Sequence, residues 1–268
     1  MSGAPRGRSD FVEGAYHVAL LTLRRTLRGR RTLVALAPLL LPALLSLTVA
    51  RGKPDVKQEQ FAYAALSLYQ FGIALPAFAL VLATAFPWPE SDEGTLSYWF
   101  TSPLRRSAVM FGRIVAAILV GVVLLPLGVL GTVLPLDGAS VELAPVARTA
   151  VAATLLAYPA YIGLFAAAAT WTRRGLVCGV VFILLENSLS FVSGTIARLT
   201  LVHYVRSMLH PVASPVGRRV LTQAARLDPP ASTAFSVGVF VCAAAVSIGI
   251  ALLLVERTEY RGRHAQPA

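Results

Sequence analysis

The chain has 268 residues, 56% of them apolar and only 14% charged, with a mean hydropathy of +0.68. A soluble domain of this length carries charge on every exposed helix face; here the charges are gathered between long apolar stretches, which excludes an ordinary water-soluble globule. The net charge of +11 fits anionic lipid headgroups beside apolar spans, so a lipid bilayer is the expected partner and nucleic acid is not.

Residues 1–31 read as a cytoplasmic N-terminal segment. They are too polar for a secretory signal and lack its short apolar core, so they stay attached. Ser9 is placed to cap a helix with Asp10 and Glu13 in its first turn and Arg24, Arg25 and Arg28 in its last, matching the helix dipole at both ends. Phe11, Ala15, Val18, Ala19, Thr22 and Leu23 recur at helical spacing. The segment is therefore expected to form an amphipathic helix on the inner leaflet, turning at Gly29.

Six stretches are long enough to cross about 30 Å of hydrocarbon at 1.5 Å per residue. They are residues 32–50, 61–86, 114–134, 149–171, 176–197 and 233–255, and Glu186 is the single Asp, Glu, Lys or Arg within them. Continuous apolar runs of this kind exclude a membrane β-barrel, whose strands alternate in polarity. Pro38, Pro42, Pro76, Pro126 and Pro159 fall inside these spans, where neighbouring helices can satisfy the carbonyls they free. Cys178 and Cys242 also lie in apolar stretches, and are expected to be small buried apolar groups, with no disulfide or metal role.

With both termini inside, the inner segments carry 15 Lys and Arg and the outer ones 9, which favours cytoplasmic termini. Residues 256–268 form a cytoplasmic tail. The fold class is thus all-α, a polytopic membrane domain over residues 32–255.

The inner loop 87–113 carries the most chemistry. Pro87 and Pro89 end the second span, and Glu90, Asp92 and Glu93 open a short helix whose Leu96, Trp99 and Phe100 share one face. Ser102 and Pro103 then start another. An acidic and aromatic helix held at the membrane surface is built to dock, with Trp99 and Phe100 as anchors.

The run Glu93, Gly94, Thr95, Leu96, then Thr101, Pro103 and Arg106, then Gly112 and Arg113, resembles the signature of ABC-2 type permeases. That resemblance implies a type V exporter-like fold with six transmembrane helices, an N-terminal amphipathic helix, and a cytoplasmic coupling helix that seats in a cleft of an ATP-binding subunit. Glu90, Glu93, Gly94, Thr95, Leu96, Trp99, Phe100, Pro103 and Arg106 would then form the docking element. Ser91 and Asp92 depart from the usual Arg and Glu. The outer loop 198–232 corresponds to the place where the family carries short re-entrant helices. The resemblance also implies two ATP-binding subunits holding ATP and Mg, a second permease copy or paralogue, and a bacterial cytoplasmic membrane. Glu186 followed by Arg198, Leu199, Thr200, His203 and Tyr204 resembles a subset of these permeases.

No G-x-x-x-x-G-K-[ST] or H-E-x-x-H occurs in the sequence, so no catalytic residue, cofactor or metal site is assigned to this chain and ATP hydrolysis is expected in a partner. Several intramembrane charges and internal repeats, expected of a secondary transporter, are not seen. A membrane scaffold or sensor recruiting a soluble partner through residues 90–106 is the alternative from another class. Glu186, flanked by Asn187, is costly within a span, and is expected to lie in the substrate path, at a subunit seam, or in a packing hydrogen bond. Arg198, Arg206, Arg218, Arg219 and Arg226 of the outer loop read as interfacial arginines reaching headgroups. Small residues at 166–169 and 243–245 permit close helix contact.

Overall fold

The computed structural model describes residues 8–51, 56–85, 105–136, 143–192, 194–224 and 229–257, and all regular structure among these is helical. The helices are α1 (Arg8–Arg28), α2 (Arg30–Ala50), α3 (Val56–Ala64), a π-helical stretch (Ala65–Ala74) running straight into α4 (Leu75–Ala83), α5 (Arg106–Val133), α6 (Ala144–Trp171), α7 (Gly175–Ser190), α8 (Leu201–Leu209), α9 (Pro215–Arg219) and α10 (Thr233–Arg257). Four of the helices so formed are long and apolar enough to cross a membrane: Gln58–Ala83, Arg106–Leu136, Ala144–Trp171 and Thr233–Arg257. Two shorter apolar helices, Val34–Ala50 and Gly175–Ser190, occupy the first and fifth expected spans.

Two boundaries and the burial of two cysteines differ from the sequence expectation. The inner loop, expected to run to Arg113, gives way earlier to α5, whose first two turns are residues 106–113, because apolar Val109, Met110 and Ile114 continue its buried face inward. The fifth span, expected to reach Ala197, ends at Ser190. There the Ser190 hydroxyl donates back to the Asn187 carbonyl at 2.8 Å, and the Phe191 and Val192 N–H groups bond the Ser188 and Leu189 carbonyls in tighter three-residue turns. Cys178 and Cys242 are free and exposed on the outward faces of α7 and α10, contrary to the expected burial; apolar α7 and α10 turn only one stripe inward.

α1 lies across the start of α5 and buries Ala15, Val18 and Ala19 there. A Cβ at Gly112 would sit 2.5 Å from the Ala15 carbonyl oxygen, so glycine permits the crossing, and the Phe11 and Phe111 rings close it with centroids 6.0 Å apart. Gly29 breaks α1 from α2 in an extended conformation.

The core is built around α6, whose Ala150, Ala153, Ala157, Tyr158, Tyr161, Ile162 and Phe165 are all buried. On one side Tyr158 lies over Gly121 of α5 and donates to the Ala117 carbonyl at 2.9 Å. On the other, Gly163 lets α10 approach until Ser247 and Ile248 fill the space a side chain would need. α10 in turn buries only Ser236, Phe240, Ser247, Ala251 and Val255. Its remaining faces are apolar and exposed, as a helix in lipid requires.

These contacts predict opposite outcomes at two glycines. A Cβ at Gly121 would lie 2.0 Å from the Tyr158 ring, whereas nothing lies within 4 Å of one at Gly249. Gly121→Ala should lower thermal stability in detergent, with an overpacking cost of about 1–3 kcal/mol, while Gly249→Ala should leave the melting temperature unchanged.

Candidate functional site

The site begins with an irregularity in the backbone. Pro76 has no N–H, so the Gly72 carbonyl, four residues back, loses its ordinary helical donor. The side-chain amide of Asn187 on α7 donates to that carbonyl, and also to Ile183 O at 2.9 Å. A Cβ at Gly72 would sit 2.5 Å from the Asn187 side-chain oxygen, so a bare glycine is what lets α7 come this near. Five residues earlier in the same π-helical stretch, Arg206 of α8 donates from Nε to the Ser67 carbonyl at 2.9 Å. Side chains of two neighbouring helices thus reach carbonyls of the π-helical stretch.

Glu186, one residue before Asn187, is only 3% exposed. Tyr161 of α6 donates to both its carboxylate oxygens, at 2.9 and 3.0 Å, and the Val202 N–H donates at 3.1 Å. Val202 is in the first turn of α8, where N–H groups have no partner inside the helix and the dipole end is positive. Thr200 completes the cap, its hydroxyl accepting from the His203 N–H at 3.3 Å. A buried carboxylate is affordable here because two donors, the Tyr161 hydroxyl and the Val202 N–H, meet it and the Arg206 cation adds an electrostatic attraction.

Arg206 is 1% exposed. Beyond Ser67 it donates to the Ser190 hydroxyl at 3.1 Å and stacks over Phe191, 5.5 Å from the ring centroid. This corrects the sequence reading of Arg206 as an interfacial arginine: its guanidinium is turned inward and ties α8 to the π stretch and to the end of α7. A second tie lies further along. The Ser214 hydroxyl pairs with buried Glu59 of α3, and its N–H donates to Tyr63 Oη at 3.1 Å. Gly217 of α9 admits the Tyr63 ring.

Of the residues singled out in the sequence, the structure brings Glu186, Asn187 and His203 together with Tyr161, Ser67 and Arg206. His203 is buried beside Tyr204, rings edge-on at 5.4 Å, and Tyr204 reaches Phe235 of α10 at 5.9 Å. Burial, with the charges of Arg198 and Arg206, lowers the His203 imidazole below its ordinary range. Arg198 itself is exposed, in the turn Gly194–Leu199. Arg106 is the exposed first residue of α5. Glu90, Glu93, Gly94, Thr95, Leu96, Trp99, Phe100 and Pro103 lie outside the described residues. Tyr161, Ser67 and Arg206 went unnoticed as site residues; the Pro76 to Gly72 spacing is the signal that could have pointed to this part of the second span.

The family model of an ABC-2 family transporter protein matches residues 28–203, a segment that runs from the end of α1 into α8 and takes in Glu186 and Asn187. The chain belongs to the ABC-2 transporter family. No curated protein matches the chain. The family places this protein among the membrane parts of ABC transporters, and Ser67, Gly72, Tyr161, Glu186, Asn187 and Val202 of the polar network lie inside the matched segment of the ABC-2 protein, with Arg206 just beyond its end.

Magnitudes decide which partner of the ABC-2 network matters most. An interhelical hydrogen bond in a membrane contributes about 0.6 kcal/mol on average, so Tyr161→Phe should cost little. Glu186→Ala removes the acceptor of both Tyr161 and α8 and should cost about 3 kcal/mol, with Glu186→Gln near about 1 kcal/mol because an acceptor remains. Arg198→Ala should be neutral. Melting temperatures of the four purified variants check the order.

Proposed function

We propose that this chain is the membrane-spanning permease subunit of an ATP-binding cassette transporter, moving a hydrophobic or amphiphilic substrate outward and energised by a separate ATPase. The family match over residues 28–203 is the observation that supports this most strongly. The sequence 90–106 supports the coupling part: carboxylates at a helix start followed by Trp99 and Phe100 suit a cleft with basic rims.

In this reading the chain crosses the bilayer six times with both termini in the cytoplasm. α2 and α7 complete the set begun by the four long helices. At about 24 Å, by 1.5 Å per residue, α7 is shorter than the hydrocarbon layer, and α8 and α9 are the re-entrant elements that close the outer end. Two copies, or one copy and a paralogue, form the pathway, and two ATP-binding subunits carrying ATP and Mg grip the 90–101 helix. Closure of those subunits on nucleotide moves the helix and alternates access. The apolar outward faces of α7 and α10 are presented to lipid or to the second copy.

Co-purification tests the proposal. The solubilised chain is expected to bring down an ATP-binding subunit and to stimulate its ATP hydrolysis, and Trp99→Ala with Phe100→Ala is expected to abolish both. A bound subunit whose ATPase rate is indifferent to this chain and to apolar or amphiphilic compounds would instead identify a recruiting scaffold.

A further inference from the structure

The π-helical stretch Ala65–Ala74 is inserted in an otherwise ordinary helix: Ala64, Ala74 and Leu75 all have α-helical dihedrals, while the Leu75 N–H reaches five residues back to Gln70 O. π segments are usually single turns and gather at functional positions. One of ten residues needs something to hold it. Two side chains do so from outside, Arg206 at the Ser67 carbonyl and Asn187 at the Gly72 carbonyl.

A third side chain works against the arrangement. Gln70 is fully buried, and neither its side-chain oxygen nor its nitrogen has a hydrogen-bond partner among the described residues. It faces the apolar seam of α2 and α5, where Leu39 lies and where its nitrogen is 3.4 Å from the position of a Cβ on Gly128. An unpaired buried amide costs free energy and marks a segment that would gain by moving.

We propose that Ala65–Ala74 is a register switch in the second span, latched by Arg206, pivoting at Asn187, and biased toward release by the stranded amide of Gln70. The two ties have different roles because of Pro76. When the stretch reverts to α-helical bonding, the Ser67 carbonyl exchanges the N–H five residues on, that of Gly72, for the one four residues on, that of Phe71, and turns away from Arg206. The Gly72 carbonyl gains none, since its four-residue partner is Pro76, so its bond to Asn187 survives in both registers. Each residue of register lost turns α3 against α4 by about 100° and carries Gln70 off the α2–α5 seam. Because Arg206 belongs to α8, which Glu186 holds at its other end, the switch joins the outer helix to a span whose far end leads toward residues 86–104. Only this last connection rests on the permease reading.

Hydrogen exchange of backbone amides, read by mass spectrometry on the full chain in lipid nanodiscs, tests the switch without any partner subunit or substrate. Gln70→Leu removes the bias and is expected to slow exchange across residues 66–75 by about tenfold. Arg206→Lys keeps the cation but loses the planar Nε donor, and is expected to speed exchange there by about the same factor, with α6 unchanged in both. Equal exchange of 66–75 in all three proteins, or a change spread evenly over α6, overturns the proposal. Gln70→Leu deletes an unpaired polar group and keeps the apolar seam filled, so it remains informative even where Arg206→Lys loosens α8. Either result leaves the permease reading to its own test.

Discussion

A carboxylate buried among apolar helices and a short helix with an unpaired first turn each pose a problem, and in this protein each solves the other's. Glu186 on α7 cannot stay charged among Leu and Val side chains without donors. α8 cannot begin in the buried interior without acceptors for its first N–H groups. Setting the Val202 N–H and the Tyr161 hydroxyl on one carboxylate satisfies both. α8 is thereby fixed to α7 and α6, and Arg206, one turn along on the same helix, carries that fixed position to the second span.

The arrangement depends on residues that weaken ordinary helices. Pro76 frees the Gly72 carbonyl, Gly72 makes room for Asn187, and Gly121 and Gly163 let Tyr158 and Ser247 reach backbone carbonyls of adjoining helices. In lipid there is no hydrophobic force between helices to hold them together, so close backbone approach and interhelical hydrogen bonds set the packing. Proline and glycine in these spans act as contact devices.

The positions of the helices were legible in the sequence, because the bilayer sorts charge so strongly that Glu186 was left alone among the spans. The buried face of α1 was legible too, through Ala15, Val18 and Ala19 at helical spacing. Helix ends were less so: the end of α7 at Ser190 is set by local three-residue hydrogen bonds that apolar content does not encode. The site was half legible. Glu186 announced itself by its cost, whereas Arg206 looked like any arginine of a basic loop, since its acceptors, Ser67 and Ser190, are distant or unremarkable in sequence. Tyr161 and Gln70 are ordinary residues in apolar runs, and only three-dimensional packing shows one to be a donor and the other stranded.

Glu186 positions α8 by receiving its first turn, and a nanodisc map of the Glu186→Ala protein puts this to the test. With the carboxylate gone, density for residues 201–209 should weaken or shift away from α7 while α5, α6 and α10 keep their packing. α8 found in its original place, still against Tyr161 and still bonded from Arg206 to Ser67, would contradict the claim.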